Sequence, residues 1–371
     1  MWRLPGALAL MLLIGGCTVA GSAAIAPYVA RPAGSVSAHV VPAPAGFLAL
    51  APNGTTAAVA DAAHGVCLVP VVGESDRVCA ATTVTGRHPV TAMFAPDGRT
   101  VALGQGVDAR GRGTVALVDV ATGGVRPIPP VPPGGGTSFY VNMAWNRQDG
   151  HLLLISGSSD ANGLSTRVVD VDPASLVPRV VAVATGPYEF QSGHFVVGGD
   201  SAVFTAYRVD QIPPDLIVID TATGTRREFG PLGPGGTQAV PLAVAPDGRH
   251  AVVGFSTYGH PGPPQVLDLK TGALSPLDGV KGDYALAAYS PDGRQLACVT
   301  SFSVSGIGTS TEAGAALRVQ IVPAGFAAVT VGTVRGVLPA DAGLAWSGVD
   351  SLGITSPTAM SGNAVAGWSL G

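Results

Sequence analysis

Two histidines and two carboxylates in this chain could carry out acid–base chemistry together. His88, Glu189 and His260 sit in Gly- and Pro-containing segments, and Asp283 sits in the Gly-containing segment 278–284. An imidazole oriented by a carboxylate acts as a general base when the two come within hydrogen-bond reach. Around them stand Arg87, Tyr140, Tyr188, Tyr258 and Tyr284, in a chain with only 12% charged and 6% aromatic residues. Such a concentration also suits recognition of a partner surface, where aromatic residues and Arg are enriched. Other chemistries find no support in the spacing. No Cys/His grouping has a metal-ligand pattern, so neither a metal nor another cofactor is expected. Pro133-Gly134-Gly135-Gly136 and Gly233-Pro234-Gly235-Gly236 lack the Lys-Ser/Thr and helix of a phosphate loop. The Ser-rich stretch 301–316 holds no nucleophile elbow.

Cys17 offers a different reaction. Residues 1–16 carry one positive charge at Arg3, an apolar run and a small-residue end, the layout of a secretory signal. Ile14-Gly15-Gly16-Cys17 resembles a bacterial lipobox, which implies a diacylglyceryl thioether on Cys17 and anchorage on the outer face of the cell membrane. A cut within the Ala-rich stretch 20–26, giving a secreted protein, and retention of the segment as an anchor are the competing readings. Residues 17–36 are small, Pro-containing and almost uncharged, so they read as a flexible tether. Export permits disulfides. Cys67 and Cys79 lie in short apolar runs on either side of Gly73-Glu74-Ser75-Asp76, and a hairpin there sets them directly opposite, as a bridge requires. Two free thiols are the alternative. Cys298, within QLACVT, reads as a small core residue.

The elements that must position these groups are legible from a repeat. Ala51-Pro52-Asn53-Gly54, Ala95-Pro96-Asp97-Gly98, Ala245-Pro246-Asp247-Gly248 and Ser290-Pro291-Asp292-Gly293 are near copies, each followed by an apolar strand-like run. Weaker copies stand at Asp149-Gly150, Gly199-Asp200 and Ser347–Asp350, the last preceded by an Ala-Trp pair that matches Ala144-Trp145. A second motif runs in phase: Asp119-x-x-Thr122-Gly123, Asp220-x-x-Thr223-Gly224 and Asp268-x-x-Thr271-Gly272, with Asp170 heading a degenerate copy. Both motifs are turn chemistry. Pro presets φ, Asp caps the turn through its side chain, and Gly takes the positive φ. The repeated Asp residues are therefore structural, not catalytic or calcium-binding. Four short strands per repeat predict an all-β, seven-bladed β-propeller of four-stranded blades over residues 37–371. The last repeat ends one strand short, and 36–43 alternate suitably to supply it, closing the ring as a monomer.

The Ala/Ser-Pro-Asp-Gly-Arg pattern resembles the repeat of TolB-type periplasmic propellers, and Val-Ile-Asp-x-x-Thr-Gly is similar to that of YVTN-type bacterial surface propellers. The resemblance covers roughly residues 40–371 and implies the fold. The residues given before the ring show no α/β domain of the TolB kind, and the Trp-Asp dipeptide of eukaryotic WD-repeat proteins does not occur in the sequence.

Composition narrows the function. A net charge of −4 argues against a nucleic-acid partner, while 47% hydrophobic residues allow a large core. With 52 Gly and 31 Pro in 371 residues, a long-helix protein is excluded. Lys270 and Lys281 are the only lysines against 18 Arg, a coding bias that fits a GC-rich genome such as an actinobacterium's. The loops opposite the motif turns hold Arg87, His88, Tyr140, Tyr188, Glu189, Tyr258, His260, Asp283 and Tyr284. They include 133–142, 156–166, 206–215 and 278–284. The expectation is a non-catalytic scaffold that binds a protein or cell-envelope ligand on that face; an exported hydrolase or lyase with a central pocket is the alternative.

Overall fold

A computed structural model describes residues 39–43, 47–52, 55–61, 64–70, 77–81, 89–105, 114–131, 137–160, 163–185, 188–189, 195–208, 211–230, 232, 237–257, 260–302, 316–323, 327–335, 343–346, 351–358 and 362–369. Cys17, Arg87, His88 and Tyr258 lie outside them, as do residues 1–36 and the motif copy at 347–350.

Every regular element in the described residues is a β-strand, and the strands pair antiparallel into seven sheets. In chain order the sheets run from Phe47–Leu50 to Val78–Ala81, Pro89–Phe94 to Val125–Pro127, Thr137–Trp145 to Pro178–Thr185, Tyr188–Glu189 to Arg226–Phe229, Thr237–Val244 to Leu274–Pro276, and Asp283–Tyr289 to Val329–Arg335. The seventh takes Gly343–Trp346, Ser351–Thr358 and Gly362–Ser369, and its outermost strand is His39–Ala43, paired Val41 to Val365. The first strand of each sheet lies against the first strand of the next: Phe47–Leu50, Pro89–Phe94, Thr137–Trp145, then Phe195–Gly198 and onward to Gly343–Trp346. Phe47–Leu50 in turn touches Ser351–Thr358, so the succession returns to its start.

The apolar runs explain the core. In a sheet covered on both faces, neither set of alternate side chains meets water, so the strand reads as continuous hydrophobe. Leu152 and Leu154 pack with Leu117, Val115 and Ala102 of the preceding sheet, while Leu153 and Ile155 pack with Phe204 and Ile217 of the following one. The core is therefore a series of slabs between neighbouring sheets. Cys298, a free thiol, is buried in the slab with Val252 and Leu296, and burial pushes its pKa up to about 12. Cys67 and Cys79 face each other across the outer two strands of the first sheet and form a disulfide.

The motif turns recur as expected. The Asp97, Asp149, Asp247 and Asp292 carboxylates each accept the backbone N–H two residues on, and Gly98, Gly150, Gly248 and Gly293 take positive φ. In the second motif, Asp119, Asp220 and Asp268 each accept two backbone N–H groups, and the Gly at the fifth position closes the turn onto the Asp carbonyl. The degenerate copy is shifted from the expected register. Its capping residue is Asp172, not Asp170, and Leu176 stands in the glycine's place with φ of 58°.

Candidate binding surface

Motif turns occupy one end of the sheets, which leaves the strand starts and the hairpins between second and third strands at the other. Five first strands break register, at Phe47/Ala49, Pro89/Thr91 and Tyr284/Leu286 close to that end and at Tyr140/Asn142 and Pro241/Ala243 further along. Such bulges turn a strand and re-aim its side chains. They put Tyr140 and Tyr284 at matching positions of the third and sixth sheets.

Between these, the topology gathers further residues. Tyr188 pairs with Arg208 and Glu189 with Tyr207, so two expected loops meet as one short ladder at the end of the fourth sheet. His260 pairs with Thr257 at the same end of the fifth. Asp283, half-buried, heads the first strand of the sixth sheet opposite Ser301. Tyr140, Tyr188, Glu189, His260, Asp283 and Tyr284 thus occupy one end of four consecutive sheets.

Side chains fix parts of this end. The Tyr140 hydroxyl donates to the Pro129 carbonyl at 2.9 Å, tying the third sheet to the second, and burial raises its pKa to about 12. Tyr140 is therefore as much a strut as a contact residue. The approach to Asp283 is held from below by two buried polar groups, Thr300 and Gln320. Gln320 accepts the Lys281 N–H at 3.2 Å and donates to the Gly279 carbonyl at 3.2 Å, and the Thr300 hydroxyl donates to the Lys281 carbonyl at 2.7 Å. Sequence reading passed over both; the signal available was a polar residue inside each of the runs QLACVT and LRVQIVP.

The expected loops prove shorter than their polarity suggested. Residues 156–166 are mostly ladder, with Ser156 to Asp160 pairing Arg167 to Gly163, and 137–142 belong to a strand. Likewise 206–208 and 211–215 are strand residues. Backbone hydrogen bonds do not depend on side-chain polarity, so the hairpins continue beyond the apolar runs.

A different His–carboxylate group stands at the turn end. Asp170, almost buried, accepts from Arg179 at 2.7 Å and meets His151 Nδ1 at 2.8 Å. Arg179 also reaches the Thr221 carbonyl of the next sheet at 3.4 Å, and Arg227 makes the same link to Leu269 at 2.9 Å. That repetition marks an intersheet tie. Trp145 and Trp346 make another, each donating its indole N–H to a carbonyl of the preceding sheet, Met93 at 3.0 Å and Ala288 at 2.9 Å. Among the described residues, no group of three or more His, Cys, Asp or Glu is arranged to hold a metal.

No protein-family model matches the chain, and no curated protein matches it. Solved structures do. An oligogalacturonate lyase solved with manganese shares 14% identity over 91% of this chain and 94% of its own, with a TM-score of 0.59. The oligogalacturonate lyase of Vibrio parahaemolyticus gives 12% identity, coverage of 90% and 91%, and a TM-score of 0.57. A chain of the mitotic checkpoint complex gives 13% identity, coverage of 100% and 97%, and a TM-score of 0.57. At such identities the likeness speaks for fold: an all-β propeller of antiparallel, mostly four-stranded sheets.

Proposed function

We propose that the protein is an exported, lipid-anchored, seven-bladed propeller whose loop-bearing end captures a protein or cell-envelope ligand without catalysis. The observation that carries this reading is the gathering of Tyr140, the Tyr188–Glu189/Tyr207–Arg208 ladder, His260 and Asp283 at one end of consecutive sheets. The seven sheets, and first strands that lie against one another in unbroken order, support a closed ring of seven blades as one domain over 37–371. The Cys67–Cys79 bridge supports an extracytoplasmic address, since cytoplasmic thiols are kept reduced.

The test is a crosslinked pull-down from the native cell beside an Arg87/Tyr188/Tyr258 triple variant. Capture by the parent protein and loss in the folded variant is the expected result; equal capture by both defeats the assignment of the face. Mass spectrometry of the mature N-terminus should find diacylated Cys17, and an unmodified start within 18–27 removes the anchor. The likeness to lyases favours a second reading, in which this end is the mouth of an active site containing Asp283. Turnover of an oligosaccharide library, lost in Asp283→Asn, would replace the scaffold reading.

A further inference from the structure

The direction of the chain's first strand decides which end of the sheets a membrane anchor would reach. In the seventh sheet, Ser351 and Ser369 pair at the turn end, and Thr358 and Gly362 pair at the loop-bearing end. His39–Ala43 runs antiparallel to Gly362–Ser369, with His39 opposite Gly367 and Ala43 opposite Asn363. The chain therefore enters at the turn end and crosses to the loop-bearing end, where Phe47–Leu50 begins the first sheet. It enters at an outer edge, because His39–Ala43 is the outermost strand of its sheet.

Lengths turn this entry point into an orientation. Leu152–Asp160, the longest second strand, has nine residues, so the two ends stand about 30 Å apart. A coil of the 21 residues between Cys17 and His39 would span about 25 Å root-mean-square. That reach brings lipid on Cys17 to the turn end without stretching the tether. Bringing the same lipid to the loop-bearing end would draw the tether along the whole flank of the seventh sheet, at a cost in chain entropy.

We propose that the anchored protein stands with its turn end toward the membrane and its loop-bearing end directed away, and so takes a ligand that arrives from the extracytoplasmic space. A lipid headgroup, or a protein lying flush in the same membrane, would meet the Asp-capped turns instead. The proposal rests on the lipid-anchored reading given above, and it narrows the class of ligand that the loop-bearing end can meet.

The only two lysines of the chain are native reporters, one toward each end. Lys270 is exposed in the second-motif turn of the fifth sheet, where its N–H is accepted by Asp268. Lys281 is exposed on the approach to Asp283, with its backbone held by Gln320 and Thr300. The experiment reconstitutes the purified, membrane-extracted full protein into lipid vesicles and labels it with an amine-reactive polyethylene glycol ester too bulky to slip between protein and bilayer. Mass spectrometry then gives the ratio of Lys270 to Lys281 labelling, on vesicles and in detergent, and the state of Cys17 in the same sample. The ratio should fall about threefold or more on vesicles, because the short tether keeps the turn end close to lipid. An unchanged or raised ratio with diacylated Cys17 overturns the orientation and leaves the anchor standing. An unmodified start within 18–27, in a protein that does not stay with the vesicles, removes the anchor and the orientation with it.

Discussion

At the turn end of the sheets the same contacts return repeatedly: an Asp cap, a Gly with positive φ, an Arg reaching the next sheet, a Trp reaching the one before. At the opposite end each sheet differs. The third offers Tyr140 tied to Pro129, the fourth a two-residue ladder, the fifth His260, and the sixth Asp283 above a buried Thr300–Gln320 network. Repetition belongs to the contacts that hold sheet to sheet, since each joint has the same problem to solve. Individuality belongs to the other end, where the Tyr140–Pro129 tie is the joint described and the remaining residues differ from sheet to sheet.

The largest break in this comparison should come at Gly224. Its φ is +73°, and a Cβ there would run into the Val181 carbonyl of the neighbouring sheet. Gly224→Ala is expected to cost about 3 kcal/mol in denaturant unfolding, from backbone strain and separation of the two sheets together. Gly150, with φ of +74° and open space around it, should lose only about 1 kcal/mol as Ala. Equal losses would refute a docking role for the second motif's glycine. Trp346→Phe should cost about 2 kcal/mol, because the Ala288 carbonyl loses its donor inside the joint. Asp170 sharpens the contrast further. Leu117, Val218 and Val266 hold its place in other sheets, so Asp170→Leu should leave stability within about 1 kcal/mol while Asp170→Ala costs about 2 kcal/mol.

Acid should act on the capped turns. The Thr122 hydroxyl and N–H hold the Asp119 carboxyl below its usual pKa, and the Thr271 N–H does the same for Asp268. A carboxyl whose folded-state pKa is depressed contributes fully above the unfolded value, and the contribution drains as pH falls through the folded one. Melting temperature should therefore decline as pH drops below about 4, less steeply in an Asp119→Asn/Asp268→Asn variant. An identical slope in that variant would deny these turns any part in acid sensitivity. The smallest effect is expected from the opposite end. On the proposed function, which puts Arg87, Tyr188 and Tyr258 on a binding face, their joint substitution should shift the thermal midpoint by less than about 1 °C. A larger shift would make that end another joint.

The turn end was readable because turn chemistry is local. Pro, Asp and Gly at fixed offsets announce the bend, and the pairing of His39–Ala43 with the last sheet follows from counting strands. Cys67 opposite Cys79 was readable for the same reason, from a hairpin of known register. The shifted copy escaped because Leu176 occupies the left-handed position that normally betrays itself as Gly. The loop extents escaped because polarity was taken as the end of a strand, whereas Ser156 to Asp160 continue their ladder on backbone hydrogen bonds. The Ala-Trp pair at 144–145 and 345–346 was visible as a match, yet its indole-to-carbonyl link spans two sheets and leaves no local trace. Thr300 and Gln320 present the same difficulty, since what they hold lies in another part of the chain.

Val41 and Val365 stand at opposite ends of the sequence and side by side in the fold. During synthesis or export the first six sheets can assemble in order, but the seventh cannot gain its outer strand until Gly362–Ser369 has emerged. Until then the molecule is an open arc with a raw edge at each tip. Its slowest step should be the meeting of those tips, the most distant contact in the chain and so the one with the greatest cost in loop closure. Assembly thus ends in a single event that tests the whole product: a chain broken off before residue 362 has nothing with which to fasten its own beginning.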